Sequence, residues 1–252
     1  MFSLIGQVAL VTGGNGGIGL AMARGLGRAG ARVVIGARGG IKSAAAVDEL
    51  KRLGIEALAI QVDVADEASV AALVRDTVER CGRLDILVNN AGINIRGPAQ
   101  DLELEQWRQV IDTNLTSAFL CSKAVYPHMK QAGAGKVINL GSMLSIFGAS
   151  FSPAYGASKG GIVQLTKSLA VAWAPDNIQV NAILPGWIDT ELTRKGRAEV
   201  QGLHERVLSR SPTGRWGTPE DFEGVAVFLA SAHANFVTGT AIPVDGGYSS
   251  LG

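Results

Sequence analysis

The clearest structural signal in this chain of 252 residues is residues 8–38, VALVTGGNGGIGLAMARGLGRAGARVVIGAR. The stretch begins with a short valine-rich run, passes through a cluster of glycines and a helical segment, and ends in a second apolar run. A strand, a glycine-rich turn, a helix and another strand form the repeating unit of a parallel sheet. The stretch therefore predicts that this chain opens with such a unit.

The same alternation continues along the rest of the chain. Apolar runs begin at Val8, Ala31, Ala57, Leu84, Lys136, Ile178 and Ala241. Nearly all are continuous rather than alternating, which is typical of strands covered by helices on both faces. No linker or repeat interrupts the pattern, so we predict an α/β fold formed by residues 1–252 as one domain, with a parallel sheet of about seven strands. The charged stretch 186–215 lies after a strand end and is predicted to be a substrate lid.

Composition excludes several classes of function. The chain has 23 Lys and Arg against 22 Asp and Glu, a net charge of +1, so no basic surface for nucleic acid is expected. Cys81 and Cys121 lie apart from any zinc-binding pattern, and no metal site or disulfide is predicted. No signal peptide or membrane-length apolar segment is found, so we expect a cytoplasmic protein without a membrane partner.

The glycine cluster predicts a nucleotide-binding turn. Gly13, Gly17 and Gly19 allow a tight turn, bring backbone N–H groups close to a pyrophosphate and let the following helix pack near the sheet. Their spacing departs from the commoner Gly-x-Gly-x-x-Gly pattern, although the physical requirement is the same. A strand before the turn and a helix after it favour a dinucleotide over a plain connection.

The end of the second predicted strand indicates which dinucleotide binds. An acidic residue there would accept a hydrogen bond from the ribose 2′-hydroxyl, whereas an arginine would bind a 2′-phosphate. The strand ends in Arg38, and residues 20–47 contain no Asp or Glu. NADP(H) is therefore favoured, and Asp63 at the end of the third strand is suited to the adenine amino group.

Four polar residues later in the chain predict a reactive site. Tyr155 and Lys159 stand four residues apart at the start of a predicted helix, which places them on one helix face. A phenol with a pKa near 10 needs about 4 kcal/mol of preferential stabilisation of its phenolate to act as a base near neutral pH. A neighbouring ammonium, with a positively charged nicotinamide ring nearby, supplies such a field. Ser142 at a strand end and Asn114 in a predicted helix complete the group.

These motifs, taken in order, resemble those of the short-chain dehydrogenase/reductase family over essentially the whole chain. The matching segments are Thr12–Gly19, Asn89–Gly92, Asn114, Ser142, Tyr155–Lys159, Pro185–Gly186 and Val244–Gly247. The resemblance implies a single doubly wound Rossmann-type sheet and hydride exchange between NAD(P) and an alcohol or carbonyl. It also implies a homotetramer.

The resemblance assigns roles to individual residues. Tyr155 is expected to be the general acid/base, Ser142 to polarise the substrate oxygen, Lys159 to hold the nicotinamide ribose and lower the Tyr155 pKa, and Asn114 to order a water that relays the proton. The expected cofactor-binding residues are Gly13, Asn15, Gly17, Ile18, Gly19, Arg38, Asp63, Val64, Asn90, Ala91, Gly92, Tyr155, Lys159, Ile188 and Thr190. Family members that prefer NADP often carry a basic residue where this chain has Gly16, which leaves NAD(H) as an alternative.

Within the family, three segments look most like those of the sugar and sugar-acid dehydrogenases, of the gluconate or 2-deoxygluconate type. They are Ile93–Arg96, Ser142–Ser145 and Gly214–Gly217. The predicted partner is therefore a small-molecule alcohol or carbonyl, bound by Ser142, Tyr155, Arg96 and Trp187, with Arg96 pairing with a substrate carboxylate. One alternative is a 3-oxoacyl-[acyl-carrier-protein] reductase, and a second is a nucleotide-binding sensor or scaffold without turnover. No catalytic residue is missing, which favours an enzyme.

Overall fold

The computed structural model describes residues 2–251, and within them all strands join one parallel sheet. The seven strands are β1 (Val8–Thr12), β2 (Arg32–Ala37), β3 (Ala57–Gln61), β4 (Ile86–Asn89), β5 (Gly135–Leu140), β6 (Ile178–Pro185) and β7 (Ala241–Val244). Their order across the sheet is β3-β2-β1-β4-β5-β6-β7. The predicted doubly wound sheet of about seven strands is confirmed.

Helices cover both faces of this sheet. The described α-helices are α1 (Gly17–Arg28), α2 (Gly40–Arg52), α3 (Glu67–Cys81), α4 (Leu104–Ile111), α5 (Ser117–Ala132), α6 (Pro153–Trp173), α7 (Glu191–Glu199), α8 (Leu203–Arg210) and α9 (Glu223–Ala230). One core layer joins the sheet to α1, α2 and α9, and the other joins it to α3, α5 and α6. Every residue of β1, β4, β5 and β6 is buried, as expected for strands covered on both faces, although β6 alternates apolar and polar residues from Ile178 to Asn181.

The stretch 186–215, predicted to be a substrate lid, contains the helices α7 and α8, and its role as a lid stays a prediction. One segment differs from the sequence-based expectation. The helical run around Asn114 is not continuous, because a π-helical turn at Asp112–Thr116 separates α4 from α5. Such a turn contains one extra residue per hydrogen-bonded loop and is common at functional sites.

No helix in the described part of the chain is both long enough and apolar enough to cross a bilayer.

The last helix fixes the position of the first. Arg24 in α1 donates hydrogen bonds to Glu49, Glu220 and Glu223 at 3.2, 2.8 and 2.7 Å. At the next residue, the backbones of α1 and α9 approach so closely that a Cβ on Gly25 would lie 3.0 Å from the Cα of Glu223. Since α1 begins at the predicted nucleotide turn, this packing holds that turn against the sheet.

Replacing Gly25 by alanine should destabilise the fold. The added methyl group would push α1 away from the backbone of α9, and overpacking of this kind costs about 1–3 kcal/mol. Gly40→Ala is the matched control, because nothing lies within 4 Å of a Cβ on Gly40. Urea unfolding followed by circular dichroism measures both variants. Equal stability of Gly25→Ala and Gly40→Ala would show that the helices do not require the close contact.

Candidate active site

A large cleft lies where the direction of winding reverses in the sheet. Chain connections run from β1 toward β2 on one side, and β4 takes the other side of β1. The segments after neighbouring strands therefore diverge at their carboxyl ends and leave a crevice. This crevice has a volume of about 740 Å³ and extends from Arg38 to Tyr155.

The glycine turn at one wall of the cleft has the geometry of a phosphate-binding turn. Gly13 and Gly17 have φ values of +63° and +53°, a conformation that other residues adopt only with strain. A Cβ on Gly19 would lie 2.3 Å from Asn90 Nδ2, so only glycine fits there. Helix α1 begins without a side-chain cap, which leaves its first N–H groups for an anion. These features fit the pyrophosphate of a dinucleotide.

A network of hydrogen bonds holds this turn to the end of β4. Thr12 Oγ1 donates to Val88 O and accepts from the N–H groups of Asn90 and Ala91, at 3.3, 3.1 and 3.2 Å. The Asn90 amide donates to the carbonyls of Thr12 and Gly13, both at 3.0 Å. Asn90 therefore holds the glycine turn in place against the end of β4.

The far end of the cleft is positively charged. Arg38 is exposed, and none of the described residues forms a hydrogen bond or ion pair with it. Asp63 also lines the cleft, while its Oδ1 accepts a hydrogen bond from Ala65 N at 3.1 Å and so caps the following turn. Lys42, which the sequence analysis did not select, enters the cleft from α2.

Tyr155 and Lys159 lie at the opposite end, in the first turns of α6. Pro153 begins this helix, where its missing N–H costs nothing. The Lys159 ammonium donates a hydrogen bond to Leu140 O at 2.6 Å and lies 5.6 Å from the centre of the Tyr155 ring. Lys159 is 4% exposed, and this burial lowers the pKa of its ammonium to about 8.

Burial also has the largest effect on the pKa of Tyr155. It raises the pKa of the phenol, while a hydrogen bond with Ser142 and the positive charge of Arg96 act in the opposite direction. The chain's own charges therefore do not make Tyr155 acidic. Its lowered pKa, expected from Lys159 together with a nicotinamide cation, stays a prediction.

The loop that carries Ser142 is tied to the helix that carries Lys159. Ser142 N donates to Ser145 Oγ at 3.1 Å, and Ser145 Oγ donates to Lys159 O at 2.6 Å. Ser142 Oγ accepts from Leu144 N at 3.1 Å. Sequence analysis missed Ser145, although two serines at this spacing are typical of a reciprocal cap.

Asn114 is buried beneath the site rather than facing it. Its Oδ1 accepts from Ile93 N at 2.8 Å, and its Nδ2 donates to Ile93 O at 2.9 Å and Ser158 Oγ at 3.0 Å. Ser158 was also missed by sequence analysis. Both N–H groups of the Asn114 amide are therefore used within the protein, and the expected water relay stays a prediction.

The structure brings most of the predicted residues to one cleft. Those lining it are Gly13, Asn15, Gly17, Ile18, Arg38, Asp63, Val64, Asn90, Ala91, Gly92, Ser142, Tyr155, Lys159, Ile188 and Thr190. Two predicted substrate residues are not among the lining residues. Arg96 donates to Glu199 at 2.9 Å and to Leu192 O at 3.0 Å, both in α7, and Trp187 packs edge-on against Trp216 with ring centres 5.8 Å apart.

Known proteins resemble this chain along almost its full length. A family model described as enoyl-(acyl carrier protein) reductase matches residues 13–249. The 2-dehydro-3-deoxy-D-gluconate 5-dehydrogenase of Formosa agariphila is 42% identical over 248 residues, which are 98% of this chain and 94% of that protein. The cis-4-hydroxycyclohexanecarboxylate dehydrogenase of Sinomonas cyclohexanicum is also 42% identical, over 97% of each chain.

A solved structure adds information on bound molecules. The gluconate 5-dehydrogenase from Burkholderia cenocepacia, in complex with NADP and tartrate, is 40% identical and covers 99% of this chain and 97% of its own. The TM-score between the two structures is 0.94.

The buried Lys159 should make stability depend on pH. The unfolded chain keeps this proton up to pH 10.5, whereas the folded chain releases it near pH 8, so the contribution of Lys159 to stability rises over this interval. The free energy of unfolding of Lys159→Met minus that of the native chain should therefore fall by about 3 kcal/mol from pH 8 to 10.5.

Urea unfolding at several pH values measures this difference. Lys167→Met is the control, since Lys167 lies exposed on the same helix and its substitution leaves the buried ammonium of Lys159 in place. A difference for Lys159→Met that does not change with pH would show that the folded Lys159 has an ordinary pKa.

Proposed function

The chain belongs to the short-chain dehydrogenase/reductase family, and from that premise we propose that it acts on a sugar acid or a related hydroxy acid. It is an NAD(P)-dependent oxidoreductase that interconverts a secondary alcohol and a carbonyl by hydride transfer, as the motif resemblance predicted. The observation that carries the proposal is the meeting of Ser142, Tyr155 and Lys159 in the dinucleotide cleft, with Arg96 close enough to influence Tyr155.

The names of the relatives favour an acid over a carrier-protein thioester. The Formosa, Sinomonas and Burkholderia proteins are named for substrates that combine a carboxylate with an alcohol or carbonyl elsewhere in the molecule. Such a substrate needs one group that polarises the reacting oxygen and one cation at the other end. Ser142 with Tyr155 fits the first requirement, and Arg96 fits the second.

The proton chemistry follows from the polar residues of the cleft. The residues that line the cleft would hold the dinucleotide, whose nicotinamide would supply the hydride acceptor for oxidation and the hydride donor for reduction. In oxidation the Tyr155 phenolate takes the hydroxyl proton while Ser142 donates a hydrogen bond to the same oxygen. In reduction both hydroxyls stabilise the negative charge that develops on the carbonyl oxygen, and Tyr155 delivers the proton. Lys159 stabilises the phenolate form by its charge.

Asn114 takes part through its main chain in this proposal. Both N–H groups of its amide are engaged with Ile93 O and Ser158 Oγ, and its Oδ1 accepts from Ile93 N, so its side chain has no donor left for a water. The π-helical turn at Asp112–Thr116 disturbs the regular hydrogen-bonding of the helix, and freed carbonyls of such turns accept bonds from water. A water held there would pass the proton from Lys159 to solvent.

NADP(H) is the preferred cofactor in this proposal. Arg38 follows β2, its guanidinium has no partner among residues 2–251, and the planar guanidinium of an arginine matches the geometry of a 2′-phosphate. The Burkholderia neighbour was solved with NADP, which supports the same choice. We also place the protein in the cytoplasm.

Assembly into a homotetramer is also part of the proposal. Leu104 and Trp107 of α4 and Phe119 of α5 are exposed at 59%, 38% and 45%, and apolar side chains of this kind are often covered by another copy of a chain. A monomeric mass in light scattering would contradict it.

Removing the Tyr155 hydroxyl should abolish turnover without loss of cofactor binding. Tyr155→Phe removes the proton donor and acceptor, and the rate should fall by at least about 10²–10⁴-fold. The dissociation constant of NADPH should change less than about twofold, because the binding turn is untouched. Tyr126→Phe is the control, since Tyr126 hydrogen-bonds Asp176 outside the cleft. Full activity of Tyr155→Phe would exclude it as the acid/base.

Arg96 should select substrates that carry a carboxylate. In Arg96→Ala the KM for a sugar acid should rise about 10–100-fold, because a charge-assisted pair is lost, whereas the KM for an uncharged polyol should stay nearly constant. Steady-state kinetics on gluconate and on a polyol of equal length measure the two effects.

The control must separate recognition from packing, since Arg96 also holds α7. Glu199→Gln weakens the same contact with α7 while leaving Arg96 in place, and it should not raise the KM for the acid. If both variants raised the KM for acid and polyol alike, Arg96 would act only by holding α7.

A further inference from the structure

The nucleotide-binding turn contains no basic side chain of its own, but one reaches it from a neighbouring helix. Gly16 occupies the centre of the turn, and a Cβ built on it would lie 3.0 Å from Lys42 Cε and 3.2 Å from Lys42 Nζ. Lys42 belongs to the first turn of α2, which follows Arg38. Its ammonium therefore lies where a side chain of residue 16 would begin.

Two cations thus meet at the adenosine end of the cleft. Arg38 comes from the end of β2 and Lys42 from α2, and both line the same wall with Gly16. Arg38 has no partner among the described residues, whereas Lys42 pairs with Glu191 at 3.0 Å. Lys195, Asp63 and Glu191 also line the cleft. With Arg38 and Lys42 they leave an excess of one positive charge.

We propose that Lys42, together with Arg38, binds the 2′-phosphate of NADP(H). In the absence of the cofactor the Lys42 ammonium pairs with the Glu191 carboxylate, and the phosphate displaces this carboxylate. The proposal rests on the preference for NADP(H) given above. Lys42 of α2 would then supply the positive charge that the glycine turn lacks at Gly16.

The ion pair is suited to such an exchange. The side chains of Lys42 and Glu191 are 56% and 72% exposed, and ion pairs open to water are weak. A phosphate monoester carries about −1.5 to −2 charges at pH 7 and three acceptor oxygens, so it outcompetes a single carboxylate. The flexible side chain of Lys42 can also turn from Glu191 toward the ligand.

Glu191 connects this exchange to the rest of the site. It is the first residue of α7, and Thr190 before it caps that helix within the cleft. The opposite end of α7 is held by the contact between Arg96 and Glu199. When the phosphate displaces Glu191 from Lys42, α7 loses this ion pair with α2. It keeps the ion pair between Glu199 and Arg96 at its other end.

Binding measurements on cofactors with and without the 2′-phosphate test the proposal. The dissociation constants of NADPH, NADH and 2′,5′-ADP are measured by isothermal titration calorimetry for the native chain, Lys42→Ala, Glu191→Gln and Arg38→Ala. Lys42→Ala should weaken NADPH and 2′,5′-ADP about tenfold and change NADH less than about twofold. Glu191→Gln should tighten NADPH about threefold, because the competing carboxylate is removed. Lys51→Ala is the matched control, since Lys51 is exposed near the far end of α2.

The results distinguish an error in the cofactor preference from an error in the role of Lys42. If the native chain bound NADH as tightly as NADPH, the cofactor preference and the role of Lys42 would both be wrong. If the native chain preferred NADPH and Arg38→Ala lost that preference while Lys42→Ala kept it, only the assignment of Lys42 would be overturned. Equal weakening of NADPH and NADH by Lys42→Ala would place this ammonium on the pyrophosphate and overturn the proposal too.

Discussion

The ammonium of Lys159 is buried at the carboxyl end of β5 with a main-chain oxygen, Leu140 O, as its hydrogen-bond partner 2.6 Å away. A charged group removed from water without a carboxylate beside it is costly, and its lowered pKa reflects that cost. Hydrogen bonds that join α6 to the end of β5 hold Lys159 in this position. One of them runs from Ser145 Oγ to Lys159 O. The same constraint places a positive charge next to the Tyr155 phenol, where a proton has to be gained and lost.

The position of this charge follows from the topology of the sheet. Because β1 lies between β2 and β4, the segments that leave its carboxyl end and that of β4 separate and form a long cleft. Thr12 and Asn90 join the two walls at the narrow point. A nucleotide lying along this cleft would extend from the cations near Arg38 to the phenol of Tyr155.

Sequence reasoning found features that depend on local spacing and missed those that depend on long-range contacts. The glycine turn and the four-residue separation of Tyr155 and Lys159 could be recognised because turn and helix geometry fix them. Lys42 could not be placed over Gly16 without knowing how α2 approaches the turn. Likewise, the sequence does not reveal that α7 engages Arg96 in an ion pair, because Glu199 lies 103 residues away.

Because burial raises the pKa of the Tyr155 phenol in the chain alone, we expect Tyr155 to become a base only when a nicotinamide cation lies beside it together with Lys159. The most direct measurement is a spectrophotometric titration of tyrosinate in the native chain, with and without NADP⁺. The account predicts one tyrosine that ionises near neutral pH with NADP⁺ bound, absent in Tyr155→Phe, and none without it. Unchanged tyrosine titration on addition of saturating NADP⁺ would contradict the account.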